Sequence, residues 1–383
     1  MDANRKPRLV LVHDWLTGMR GGEKCLEVLC QRRPDAKLYT LLHRRGSTSP
    51  TIEQMKPRAS FLNRLPGVHD YYRWLLPLMP AAAASLELPP CDLVVSFSHC
   101  AAKAVRPPPG AVHVCYCFTP MRYAWHMRDS YFGRGLKARL LGSVLERLRQ
   151  WDRRSAVGVT HFLAISKTVQ RRIDECYNRE STVIYPPVDT DFYRPADDLA
   201  PREEFYLAVS AFAPYKRLDL AVTACNRLGR PLVVVGAGQD DARLRRLAGP
   251  TVRFMGWQPD AAIRALMRRC RALVFPGEED FGIVPVEAMA CGTPVIAYGR
   301  GGALETVLPP GGRHAPTGLF FAEQTADCLA DALTAFEMRP DEFSPAAARR
   351  QALRFNKQRY EEEMMAFLAG ALRPVEVAAR VAA

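Results

Sequence analysis

Glu279 and Glu287 are the residues whose type and spacing say most about chemistry in this chain of 383 residues. Glu279 precedes, and Glu287 lies within, a short apolar run that Pro285 and Gly292 punctuate. Proline just inside a helix start and glycine just past its end is the usual asymmetry of helix termini. Segment 272–298 therefore reads as strand, acidic loop, short helix, strand. The amides of Gly282, Ile283 and Val284 would point out of the helix N-terminus, a place that favours an anion, commonly phosphate. Carboxylates repel phosphate, so the two glutamates are expected to grip hydroxyl groups beside it. A diphosphate next to hydroxyls points to a nucleotide sugar as ligand.

Other residues could join that chemistry. Lys216 and Arg217 stand in a loop that follows a strand and opens a helix, Ala-Phe-Ala-Pro-Tyr-Lys-Arg-Leu-Asp over 211–219. They could neutralise a leaving diphosphate, where charge develops in glycosyl transfer. Gly21-Gly22-Glu23 lies in the first strand-to-helix turn, where glycine lets backbone approach a ligand or simply makes the turn tight. His99 ends a strand at a carboxyl edge, the side on which parallel sheets bind ligands.

The elements that must position these groups alternate along the chain. Apolar runs at 8–13, 92–98, 112–118, 162–166 and 183–185 read as strands, as do 205–210, 232–236, 252–255, 272–275 and 295–298. Short apolar strands without alternation, separated by helices, indicate parallel sheets covered on both faces. The two series meet at Pro186-Pro187, a natural stop and hinge candidate. The expected architecture is α/β, with two Rossmann-like doubly wound domains facing a cleft. Residues 1–185 form the first domain and 186–345 the second. Residues 346–383 are a helical segment expected to pack back on the first, with the stretch beyond 373 loosely ordered.

Composition sets outer limits. An apolar fraction of 48% with 24% charged residues is that of a soluble globular protein. No signal peptide is read at the N-terminus, and the most hydrophobic stretch, 74–88, is too short and too interrupted by proline to span a bilayer. The eleven cysteines are scattered and form no CxxC, as expected of reduced core thiols in a cytosolic protein. The net charge of +13 is compatible with an anionic membrane surface or a phosphorylated substrate, or with solubility alone. Its spread along the chain disfavours nucleic acid.

Four segments admit more than one reading. Gly236-Ala237-Gly238 is either a tight strand-to-helix turn, the preferred account, or part of a dinucleotide fingerprint whose third glycine position holds Asp241. Asp189-Thr190-Asp191 is either a turn or a DxD metal ligand set, and Glu278-Glu279-Asp280 could hold Mg²⁺ against a diphosphate. No metal is required if helix amides and a lysine neutralise the phosphates, and metal-independent chemistry without a cofactor is the expectation. Segment 56–88 mixes basic residues, Tyr71, Tyr72, Trp74 and many leucines. It reads either as an interfacial helix pair touching lipid or as ordinary helical core.

With these segments in view, the chain resembles the family 4 glycosyltransferases of the GT-B fold, in particular their bacterial mannosyltransferase-like branch of polysaccharide and O-antigen synthesis. The resemblance rests on Val-His-Asp-Trp-Leu at 12–16 with Gly21-Gly22-Glu23, and on Asp-Leu-Val-Val-Ser-Phe-Ser-His at 92–99. It rests further on Cys-Tyr-Cys-Phe-Thr-Pro-Met-Arg-Tyr-Ala-Trp at 115–125, on Pro214 to Asp219, and on the Glu279–Glu287 segment through Val307. It implies retaining transfer from a nucleotide sugar held mainly by the C-terminal domain. Glu279 would contact the sugar, Glu287 the ribose diol and Lys216 the diphosphate. Gly22, Arg217, Phe281, Gly282, Ile283 and Val284 complete the implied donor set. Asp14, His99, Arg122 and Tyr123 form the implied acceptor side, with Glu279, Lys216 and His99 as the catalytic group. Two positions depart from the family pattern. Many relatives carry arginine where this chain has Ala211, and relatives of this branch often have histidine at Phe118.

The sequence thus supports a hexosyltransferase using GDP-mannose by first preference, with a polyprenyl-diphosphate-linked or growing saccharide as acceptor. It would work in the cytoplasm, peripherally on the inner membrane, with domain closure excluding water. The alternatives are a nucleotide-sugar-binding protein with weak or lost catalysis, a transferase using a UDP-sugar, and an NAD-dependent oxidoreductase.

Overall fold

Apolar runs too short to be helices, set between amphipathic ones, form two all-parallel sheets. The computed structural model describes residues 6–122, 124–125, 142–196 and 202–373. The first sheet contains β1 (Leu9–Leu16), β2 (Lys37–His43), β3 (Arg58–Ala59), β4 (Leu93–Ser98), β5 (Val112–Cys117), β6 (His161–Ala164) and β7 (Ser181–Val183). Its order is β3-β2-β1-β4-β5-β6-β7. The second contains β8 (Tyr206–Val209), β9 (Leu232–Val235), β10 (Val252–Gly256), β11 (Ala272–Phe275), β12 (Val295–Tyr298) and β13 (Gly318–Phe321). Its order is β10-β9-β8-β11-β12-β13. Each sheet is a doubly wound α/β arrangement. Each reverses its winding once, between β1 and β4 in the first and between β8 and β11 in the second.

By internal contacts the chain divides into two units. The first takes the chain to Ile165, then Val169–Ile184, and resumes at Tyr360; the second takes Ser166–Thr168 and Tyr185–Arg359. Each has its own core. Val10, Val12 and Val94 pack with Leu41, Leu62 and Met79 in the first. Tyr206, Val234, Val274 and Ile296 pack with Leu333 and Phe336 in the second. A buried aliphatic side chain of this kind contributes about 1.5–3 kcal/mol, so truncation in β1 or β11 would loosen the edge on which functional groups stand.

The structure revises the sequence reading in several places. β2, β3 and β13 were not anticipated: Leu-rich or very short runs carry little periodic signal to tell strand from helix. The segment expected at 346–383 is two helices, Pro345–Leu353 and Lys357–Ala371. The first belongs to the second unit, because Arg349 donates to the carbonyls of Thr190 and Tyr193, and Gln351 to that of Thr306. The 56–88 segment is the short strand β3 followed by a series of short helical turns and not a helix pair, with Gly67 left-handed (φ 63°) and a kink at Leu75. All eleven cysteines are free, and all but Cys328 are buried. Among the described residues no helix is long and apolar enough to cross a membrane.

Candidate functional site

In an open parallel sheet, ligands bind outside the carboxyl ends of the strands, where the winding reverses. In the second unit that point lies between β8 and β11. Lys216 comes from the loop after β8 and Glu279 from the loop after β11. The structure pairs them directly, Lys216 Nζ against Glu279 Oε1. A recess beside the pair is lined by Ser210, Lys216, Leu218, Pro276, Gly277 and Glu279. A larger recess at the opposite, amino edge of this sheet is lined by Arg202, Glu203, Glu204 and Arg271. Its charges are matched internally: Arg202 donates to the carbonyls of Gly292 and Cys270, and Arg271 pairs with Glu204.

The acidic loop is held by backbone packing. Phe275 ends β11, the chain turns through Pro276 and Gly277, and Gly282 takes a left-handed conformation (φ 85°) to start the helix Ile283–Ala290. Pro285 lies in the first turn of that helix, as its sequence position predicts. No side chain caps the start, and Gly282, Ile283 and Val284 occupy it as expected. Glu287 sits on the helix and is buried, 5% exposed. Gly302, which the sequence reading did not single out, closes the loop from the other side. Its N–H donates to the Glu279 carbonyl at 2.8 Å, and a Cβ there would lie 2.3 Å from Phe281 Cα. Only glycine fits so close an approach. Phe281 is buried and packs between Tyr185 and Phe355, so its ring serves the packing of the loop.

Two further residues of this region went unnoticed in the sequence. Tyr193 is a buried phenol pushed well above its usual pKa, first by burial and next by the Glu287 carboxylate, which places it near that glutamate. Gln324 donates to the Pro276 carbonyl at 2.9 Å and accepts from Arg217. Arg217 has partners within the protein. It adopts φ 51°, and its guanidinium pairs with Asp219 at 3.2 Å and with Gln324. These contacts brace the loop in which Lys216 stands.

The first unit repeats the logic at its own reversal point. Asp14, in β1, meets the chain leaving β4. Its carboxylate accepts the N–H groups of His99, Cys100, Ala101 and Ala102 at 2.6–2.8 Å. His99 Nδ1 lies 3.1 Å from the same carboxylate, and Trp15 meets the imidazole edge-on at 4.4 Å between ring centroids. Asp14 is fully buried. Its geometry is that of a post that holds the chain leaving β4 and orients His99. His99 keeps 27% of its side chain exposed. Phe118 follows β5 next door, with its ring centroid 6.3 Å from that of His99. A Cβ on Gly22 would stand 3.0 Å from the Phe118 ring and 3.2 Å from His13 Nε2. His13 is buried and burial lowers its pKa to about 4; its Nδ1 lies 3.0 Å from the Trp15 carbonyl. Glu23 accepts the Arg20 N–H at 3.0 Å, and burial raises its pKa to about 7.

Two of the motifs that admit two readings have close partners in the structure. A Cβ at Gly236 would lie 1.8 Å from the Ser210 carbonyl oxygen, so the glycine is required where the turn after β9 presses on the loop after β8. Asp189 accepts the Phe192 N–H at 3.0 Å and pairs with Lys357, which is turn and anchor chemistry. Arg122 follows β5 half-buried. Tyr123 lies outside the described residues.

Two doubly wound parallel units with their charged groups at the winding reversals define a GT-B fold. Residues 189–356 match the family model described as "Glycosyl transferases group 1". Solved structures similar across nearly the whole chain include Anabaena HepE in complex with UDP and glucose (TM-score 0.69, 18% identity, 95% of this chain and 100% of that one). Sucrose-phosphate synthase from Thermosynechococcus elongatus is another (TM-score 0.70, 17% identity, 95% and 98%). Among curated proteins, a D-inositol 3-phosphate glycosyltransferase of Mycobacterium avium is 31% identical over 186 residues, 43% of this chain and 42% of its own. An uncharacterized glycosyltransferase of Methanocaldococcus jannaschii is 29% identical over 151 residues, 38% of this chain and 42% of its own. The chain thus matches about two fifths of the length of these curated relatives.

Proposed function

We propose that the protein is a retaining hexosyltransferase that takes a sugar from a nucleotide sugar, GDP-mannose by first preference. Its acceptor would be a polyprenyl-diphosphate-linked or growing glycan at the cytoplasmic face of an anionic membrane. The observation that carries this reading is the convergence of Lys216 and Glu279 at the reversal point of the second sheet, with Glu287 on the adjoining helix. In the proposed chemistry Lys216 and the amides of Gly282, Ile283 and Val284 receive the diphosphate, taking the place of a metal. Glu287 holds the ribose diol and Glu279 the sugar hydroxyls. The acceptor hydroxyl bonds to the anomeric carbon as the bond to the diphosphate oxygen breaks, and that leaving oxygen takes the hydroxyl proton. Charge on the leaving group is what the lysine and amides stabilise. His99, oriented by Asp14, serves the acceptor side together with Arg122.

A second donor class is favoured by a specific observation: HepE, similar in fold, has been solved with UDP and with UDP-glucose. A binding protein with weak or lost catalysis is favoured by Phe118 and Ala211. A thermal-shift screen over GDP-, UDP- and ADP-sugars, followed by turnover with lipid-linked acceptor extract, tests all three. Stabilisation by one nucleotide family with transfer supports the proposal. Stabilisation without transfer on any acceptor favours the binding protein, and no stabilisation by any nucleotide overturns the donor site.

A further inference from the structure

We propose that the solvent face of segment 56–78 in the first unit is a docking surface for an anionic lipid bilayer, through Phe61, Leu65, Trp74 and Leu78 with the cations between them. This deepens the membrane placement proposed above, and its test is independent of nucleotide binding.

The segment is apolar on two opposite sides. Its inner side is ordinary core: Leu62, Val68, Tyr72, Leu76 and Met79 are buried against the β1 and β2 layer. Its outer side should then be polar, as on most surface helices, and it is not. Tyr71, Trp74 and Leu78 lie along the turns Val68–Tyr71 and Tyr72–Leu78, the second kinked at Leu75, and all are exposed, Trp74 by 81%. Phe61 and Leu65 bracket the preceding turn and are exposed as well. An indole left this far in water has its favoured environment at a membrane interface, where the ring is apolar and the N–H stays wet.

The charges on this face match one kind of occupant. Lys56, Arg58, Arg64 and Arg73 are exposed along the segment, against one exposed carboxylate, Asp70. Arg44 also faces the segment: after burial, it is the largest influence lowering the pKa of His69. Arg73 stacks its guanidinium over Tyr72 at 5.4 Å, which holds the cation beside the exposed Trp74. Single apolar anchors alternating with cations fit headgroups and acyl boundary together. A face built for a protein partner would instead gather its apolar residues into a core depleted of charge.

The test is co-sedimentation of the full chain with vesicles of neutral phosphatidylcholine and with vesicles containing phosphatidylglycerol. Binding is expected to the anionic vesicles only, and to weaken as salt shortens the reach of the charges. Trp74→Ser is expected to weaken binding by roughly tenfold, and Arg73→Glu by at least about fivefold per charge step. Both side chains are exposed, and an unchanged melting temperature of each variant would confirm an intact fold. Equal binding of Trp74→Ser and wild type, equal binding to neutral vesicles, or no vesicle binding at all would overturn the proposal. So would sedimentation velocity showing that the wild type dimerises and that Trp74→Ser is a monomer.

Discussion

Lys216 and Glu279, implied to grip different parts of one donor, grip each other: the ammonium of Lys216 sits on the Glu279 carboxylate across the junction of β8 and β11. Both are largely shielded, with side chains 14% and 25% exposed. In the proposed function, a diphosphate arriving at Lys216 would displace a carboxylate, which would then be released toward the sugar.

That exchange predicts an asymmetry. Glu279→Gln keeps the shape and removes the competitor, so free nucleoside diphosphate should bind tighter by about three- to tenfold, on the scale of a partly shielded ion pair. Transfer should fall, because the amide serves the sugar hydroxyls less well. Lys216→Ala should weaken diphosphate binding, while the affinity for the monophosphate stays near wild type in both variants. Titration calorimetry reads all of these, and a Glu279→Gln protein that binds diphosphate no tighter than wild type would refute the exchange.

Glu287 should behave differently. It is buried on the helix Ile283–Ala290 near Tyr193 and far less exposed than Glu279. Glu287→Ala should weaken binding of both free nucleotide and nucleotide sugar by about ten- to a hundredfold, the scale of a lost charged hydrogen bond. Equal, negligible effects at Glu279 and Glu287 would remove the division of labour between them.

Asp14 is predicted to matter through His99 and through stability. Asp14→Asn leaves two of the four loop amides facing an NH₂ group, which should cost about 3 kcal/mol or more. His99→Ala should cost much less, since its imidazole is partly exposed. Chemical denaturation of the two variants checks the order. A larger loss for His99→Ala would reverse the roles assigned to the pair.

The pH dependence of stability should carry the signature of Glu23. Its pKa is raised from 4.5 to about 7 in the folded protein, so folded Glu23 holds a proton that the unfolded chain has released. The penalty grows as pH rises from 4.5 through 7, reaching about 3 kcal/mol. Glu23→Gln should therefore stabilise the protein relative to wild type more at pH 8 than at pH 5. His13 acts with the opposite sign: its pKa is lowered to about 4, so its contribution falls as pH drops below 6.5. Melting curves at the two pH values decide the Glu23 effect, and an equal shift at both would contradict it.

Much of this organisation was legible in residues, for identifiable reasons. The acidic loop and its helix could be read because Pro285 and Gly292 punctuate a short apolar run. The two-sheet architecture could be read because buried parallel strands form continuous apolar stretches. What stayed hidden depends on contacts distant in sequence. Nothing local marks Asp14 as a hub for four amides beyond β4, or Arg217 as a partner of Gln324. Glycine 302 is invisible as a site residue until the backbone of Phe281 is seen against it. Ala211 and Phe118 were readable only as departures from a family pattern, and the structure adds that His99 stands beside Phe118.

The most direct test of the central claim is calorimetric titration of the wild type and Glu287→Ala with GDP-mannose and UDP-glucose. One of the two donors should bind the wild type, with an affinity that drops at least about tenfold in Glu287→Ala. Unchanged affinity in the variant, or no binding of either donor by the wild type, would contradict it.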